Sequence, residues 1–130
     1  MNPEKIKVIL NQKDKLVYIK LVGEFDEDHA EQAVEKYQEV LDEIEEKEII
    51  LKKVLYDITE AGDATISARR IFASFARNVS NKYKGLRVAY ITGSRLAKMV
   101  SIFIHRLSRN LGEVRYFKNE AEAREWLRGE

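Results

Sequence analysis

The stretch Leu55–Arg70, LYDITEAGDATISARR, decides how the chain is read. Just before it and into it, IILKKVLYDI (49–58) is rich in β-branched and aromatic residues, the composition of a buried strand. Toward its end, apolar residues fall at spacings of three and four, which predicts a helix from near Asp63 to about Ser80. Between the two, DITEAGDAT (57–65) holds Gly62 and the turn- and cap-forming residues Asp57, Thr59, Asp63 and Thr65, so it is predicted as a loop. A strand that leaves its sheet into a helix is half of a crossover, and crossovers join parallel strands.

Working outward, the same alternation continues. LRVAYI (86–91) is a fourth strand after Gly85, and TGS (92–94) leads to a third helix, about Arg95 to Arg109. Gly112 ends that helix region, and EVRYF (113–117) is a short fifth strand. The last helix has Asn119 as its cap and Gly129 past its end. Upstream, KIKVIL (5–10) and KLVYIKLVG (15–23) alternate apolar and polar residues across NQKD, a hairpin. The first helix lies within Asp26–Glu48, with Ala30, Ala33, Val34, Tyr37, Val40, Leu41 and Ile44 forming its apolar stripe. Asp26 and Asp28 suit its N-terminus. The expected architecture is one α/β domain over residues 1–130, a five-stranded, mixed and mostly parallel sheet with four helices in the order β-β-α-β-α-β-α-β-α.

A helical projection assigns faces. In the second helix Ala64, Ala68, Ile71, Phe72, Phe75 and Val79 point to the sheet, while Ile66, Arg70, Ala73 and Arg77 point away, with Arg69 at the margin. In the third, Leu96, Val100, Phe103 and Leu107 form the core stripe. Arg95, Lys98, Ile102, Arg106 and Arg109 take the other side, and Met99 lies between. Isoleucine and methionine among arginines compose a surface of the kind that meets a protein partner or a second copy of the chain.

The net charge of +1 conceals a segregation: Glu24–Glu48 carries −10 and Ile49–Lys118 carries +10. Two readings stand. Either these are compensating solvated helix faces, or one positive face recruits an acidic partner. Nucleic acid is disfavoured, because no reading helix or aromatic stacking platform accompanies the charge.

Chemistry is sparse. Without cysteine there is no thiol nucleophile, disulfide or zinc thiolate site. Neither a Walker A loop nor G-x-G-x-x-G is present, and GSRLA lacks the second glycine of a nucleophile elbow. His29 is expected to be solvated and His105 to project near Lys98 and Arg109, with no third metal ligand in view. No metal, cofactor or catalytic residue is therefore assigned. No membrane span and no secretory leader are read, so a cytoplasmic location is expected. The two loops after the third and fourth strands lie where open α/β sheets bind ligands, near helix N-termini that favour anions. Asp57, Thr59, Asp63, Thr65, Ser67, Thr92, Gly93 and Ser94 are thus either a ligand or anion loop or ordinary caps and turns.

Several segments together resemble the STAS family, and more closely its SpoIIAA-like branch. These are VYIKLVGEFDEDHAEQAVEKYQEVL, KKVLYDIT, LRVAYITGSRLAKM and EVRYFKNEAEAREWL, the last being the most specific. The resemblance spans nearly the whole chain. It implies helices packed mostly on one sheet face and no intrinsic enzymatic activity. In the anti-sigma-factor antagonists of this family, a partner kinase phosphorylates a serine in an Asp-Ser-Ser-Gly loop at the start of the second helix. Here Asp63 matches the aspartate, Ala64 replaces the first serine, Thr65 or Ser67 replaces the second, and the glycine is missing. The resemblance implies a signalling or protein-interaction module, and the helix faces read above are expected to supply its binding surface: Ile66, Arg69, Arg70, Arg77, Arg95, Met99, Ile102 and Arg106. The alternative is a carrier of an apolar or acidic small ligand, of the SEC14-like type. A third reading is an enzyme using Asp57 and Ser94.

Overall fold

The computed structural model describes residues 5–108 and 113–129, with Leu107 and Ser108 described by their backbone alone. The elements are β1 (Ile6–Asn11), β2 (Leu16–Phe25), α1 (Glu27–Glu46), β3 (Lys53–Ala64), α2 (Ile66–Lys82), β4 (Arg87–Thr92), α3 (Arg95–Ser108), β5 (Glu113–Phe117) and α4 (Glu120–Arg128). This is the predicted order. The strands lie in sequence order across the sheet, with β1 antiparallel to β2 and the other neighbours parallel. The expectations placed on the Leu107 side chain, Arg109 and Gly112 lie outside the described residues.

Alternation along the strands separates two faces. Val17, Ile19, Val54, Ile58, Val88 and Tyr90 point to one face, where α1, α2 and α3 lie. Leu16, Leu55, Ala89 and Ile91 point to the other and meet Ala123 and Leu127 of α4. α2 is the middle helix of its layer, packed mainly against α1 and α3. Lys82 of α2 pairs with Glu45 of α1, joining the basic and acidic parts of the layer.

The helix ends follow local chemistry. Asp26 caps α1 by accepting from the His29 backbone N–H at 2.9 Å, and the His29 Nδ1 accepts from the Asp26 N–H at 3.3 Å. Asn119 accepts from the Glu122 N–H at 2.9 Å, and Gly129 closes α4 with φ of +87°, a left-handed conformation that glycine adopts without strain. His29 is thus not a merely solvated group: it completes a capping box and meets the Phe25 ring edge-on, 5.9 Å between centroids. His105 is half-buried rather than on an open face.

Two expectations about the chain path are corrected. Residues 49–52 are not strand, and β3 starts at Lys53. At its other end β3 does not stop at Ile58 but continues to Ala64, so DITEAGDAT is mostly strand and α2 begins at Ile66 rather than near Asp63. The cause is tertiary: β2 reaches beside it, pairing Val22, Gly23 and Phe25 with Glu60, Ala61 and Ala64 across two register irregularities.

The helix faces also shift. Ala73, placed outward by projection, is buried, because the middle helix is flanked on both sides. In α3 the side toward the sheet is Ala97, Val100 and Ser101, with Ile104 half-buried. Leu96 and Phe103 are instead 47% and 37% exposed. The small residues face inward and two large apolar ones face outward.

Candidate functional site

The structure divides the proposed ligand loop among separate places. Asp57 faces α4, away from the start of α2. It is 8% exposed, and its carboxylate is fully engaged. Oδ1 accepts from the Thr59 hydroxyl at 2.6 Å and the Thr59 N–H at 3.1 Å, while Oδ2 accepts from the Tyr18 hydroxyl at 2.9 Å. Burial pushes the Asp57 pKa up, but those hydrogen bonds, with the Lys20 charge, outweigh it and hold it below the usual carboxylate range. In return, burial together with the Asp57 hydrogen bond raises the Tyr18 pKa. Asp57 is a clasp joining β2 to the turn of β3.

Thr59 sits directly against the loop after β4. A Cβ on Gly93 would lie 2.3 Å from the Thr59 carbonyl oxygen, so only glycine permits this approach. The Thr92 hydroxyl donates to the Phe117 carbonyl at 3.4 Å, and the Ser94 hydroxyl caps α3 by accepting from the Ala97 N–H at 3.0 Å. Asp57 and Ser94 therefore serve separate structural contacts.

Asp63 and Thr65 lie roughly 20 Å further along the extended strand from Asp57, at about 3.3 Å per residue. Thr65 caps α2 through the Ala68 N–H at 3.1 Å, and Ser67 is exposed in the first turn. The Asp63 carboxylate accepts from the Ala64 N–H at 2.8 Å and from Arg69 at 2.7 Å. These bonds lower its pKa, the backbone one foremost. Glu24, Asp26 and His29 surround the same depression as Asp63 and Thr65. The excess of carboxylates opposes the anion preference of a helix N-terminus.

The outer surface of α2 and α3 is different in character. Ile66, Leu96 and Met99 are 51%, 47% and 60% exposed. Arg70, Arg77, Arg95 and Arg106 are exposed on the same two helices, and Ile102 is half-buried. Arg69 bridges the pair: Nε donates to the Ala64 carbonyl at 2.8 Å, and its guanidinium lies 5.1 Å from the centre of the Phe103 ring. It is a clamp more than a free contact residue. Leu96 and Phe103 were missed as surface residues because their size suggested core.

Beneath α2 is an apolar void of about 90 Å³. Its ceiling includes Phe72, Phe75 and Ala76 of α2 and Ala97, Val100 and Ser101 of α3, and its floor includes Tyr56 and Tyr90. Tyr37 from α1 closes one side, 4.9 Å between its ring centre and that of Phe75. Tyr56 and Tyr90 stack nearly parallel at 4.7 Å, and Tyr90 stacks on Tyr116 at 5.2 Å. Burial raises the pKa of Tyr37, Tyr56 and Tyr90, keeping the hydroxyls neutral donors. At about 24 cal/mol per Å³, a void this size forgoes about 2 kcal/mol of packing. Sequence patterning gave no sign of it, since Ala, Gly and Ser at core positions read simply as small.

Among the described residues no cluster of three or more His, Asp or Glu gathers to hold a metal ion. Among the described residues no helix is long and apolar enough to cross a membrane. The SpoIIAA-like family model matches residues 16–128. The chain belongs to the SpoIIAA-like family. This SpoIIAA-like domain is similar to two solved structures. One is an uncharacterized protein of the DUF3478 family with a SpoIIAA-like fold from Shewanella loihica PV-4. It is 24% identical, with a TM-score of 0.60 over 94% of this chain and 91% of that one. The other is the anti-sigma factor antagonist SpoIIAA in its unphosphorylated form. It is 17% identical, with a TM-score of 0.63 over 96% of this chain and 99% of that one. At these identities the likeness is one of fold. No curated protein matches.

In this SpoIIAA-like domain, Thr65 holds the position directly before α2 with its hydroxyl on the helix cap.

Proposed function

We propose that the domain is a non-catalytic interaction module that binds an acidic protein surface through the outer face of α2 and α3. The observation that carries this is the exposure of Ile66, Leu96 and Met99 among Arg70, Arg95 and Arg106. Exposed large apolar side chains desolvate readily, and arginines around them give orientation and speed of encounter. Membership of the SpoIIAA-like family supports the reading, as does the engagement of Asp57 and Ser94 in structural hydrogen bonds. A separate acidic partner fits better than a second copy. The acidic surface of this chain is α1, and joining α1 of one copy to α2–α3 of the next is a heterologous contact that propagates into open assemblies.

Affinity capture from a lysate of the source cell, by wild type and by the double variant Arg70→Glu/Arg95→Glu, tests the proposal. A partner retained by wild type is expected to fall at least about tenfold with the variant, and its retention to weaken with salt. Retention of the same partners at unchanged levels by the folded variant overturns the assignment of this face.

A further inference from the structure

We propose that the void beneath α2 is a binding site for a small, neutral, single-ring compound that accepts a hydrogen bond from Tyr90. Three observations converge. First, the space is built rather than incidental. Ala33, Ala61, Gly62, Ala64, Ala76, Ala97 and Ser101 line it from four elements, where an ordinary core places larger side chains. Second, Tyr90 lines the void and is 7% exposed. Its ring is held by stacking on Tyr56 and Tyr116. Burial keeps its hydroxyl neutral, so it can donate one hydrogen bond to an acceptor on a molecule in that space. Third, the lining selects against charge. Asp63 is its one charged residue, and that carboxylate is exposed and held by Arg69. An anion beside the tyrosines would have no counter-ion and a cation no carboxylate, and burying an unpaired charge is strongly unfavourable. This removes the acidic ligand from the carrier alternative raised by the sequence.

Size and access fit one ring. An engineered cavity of about 150 Å³ takes up benzene, and the void here, about 90 Å³, is the same order and not fully enclosed. Val34 and Phe75 line both the void and the groove outside between α1 and α2, so the entrance lies at Phe75. Rotation of that half-buried ring admits a flat molecule.

Titration of the full chain with benzene, phenol and benzoate at pH 7, followed by amide NMR, tests the site. Phenol is expected to give saturable shifts at Tyr90, Ala97 and Val100, benzene weaker ones, and benzoate none. Tyr90→Phe should weaken phenol about three- to tenfold, the worth of one hydrogen bond, and leave benzene unchanged. Ala97→Leu, which fills the space from α3, should abolish both. Should that variant not fold, Ala76→Leu fills it from α2. Absence of saturable shifts with both benzene and phenol in the folded wild type overturns the site. Equal phenol affinity in Tyr90→Phe, or binding that survives the filled void, overturns the assignment just as firmly.

Discussion

The two faces of the sheet are packed by opposite rules. Under α4, large side chains close the space: Leu55 is fully buried against Ala123 and Leu127, Phe117 packs on Trp126, and the Arg87 guanidinium lies 4.2 Å from the Trp126 ring centre. The polar group on that side, Asp57, has donors to both oxygens. Under α1–α3, small side chains leave a void, and large ones, Ile66, Leu96 and Met99, stand outside. One face holds the fold together. The other gives up packing inside and presents apolar surface outside, and the functional proposals rest there.

Truncating one face and filling the other should have opposite consequences. Leu55→Ala should cost about 3 to 4 kcal/mol by urea denaturation, because the closed α4 side cannot collapse around the hole. Ala97→Leu should stay within about 1 kcal/mol of wild type, since its added atoms enter existing space. Equal losses from both would erase the distinction between the faces. A smaller effect is expected of Gly93→Ala, about 2 kcal/mol, as its methyl group displaces the Thr59 backbone. A neutral result would show that the loop after β4 yields freely and that Gly93 is not a fixed contact.

Asp57→Ala should cost about 2 kcal/mol at pH 7, leaving the Thr59 and Tyr18 donors unpaired. The sign of its pH dependence follows from the depressed pKa. A carboxyl whose folded pKa lies below its unfolded value stabilises the fold above the unfolded value, near pH 4, and loses that contribution as pH falls through the folded pKa. The gap between wild type and Asp57→Ala should therefore narrow from pH 7 to pH 3. A gap that is constant, or that widens in acid, would contradict the clasp.

Much of the fold was legible because local and tertiary signals agreed. The stripe Ala30 to Ile44 is buried or half-buried along its length, and Asp26, Asn119 and Gly129 terminate helices as their chemistry dictates. The order of elements along the chain and the mostly parallel pairing followed from alternation and crossover geometry. Legibility failed where a distant segment overrode local preference. Glu60–Ala64 looks like a turn in isolation and becomes strand because β2 supplies its partners. The phase of α3 was misread for a related reason. Leu96 and Phe103 are the large apolar residues that usually mark a core, but the sheet-facing positions went to Ala97 and Ser101. Of the site, the basic outer face was visible in charge and periodicity. The grouping of Asp57 with Thr65 was not sustainable, since pleating turns Asp57 to the α4 side and the extra length of β3 carries Thr65 away from it. The void is a property of three helices and a sheet together, and no single segment encodes it.

Whether partners dock on α2–α3 is decided by comparing three folded chains in the same capture experiment: wild type, Arg70→Glu/Arg95→Glu on the α2–α3 face, and Glu31→Lys/Glu35→Lys on α1. All four altered side chains are exposed, so stability should move by no more than about 0.5 kcal/mol. A partner retained by wild type and by the α1 variant, but lost with the α2–α3 variant, is the predicted result. A partner lost with the α1 variant and retained by the α2–α3 variant would place the docking surface on α1 instead.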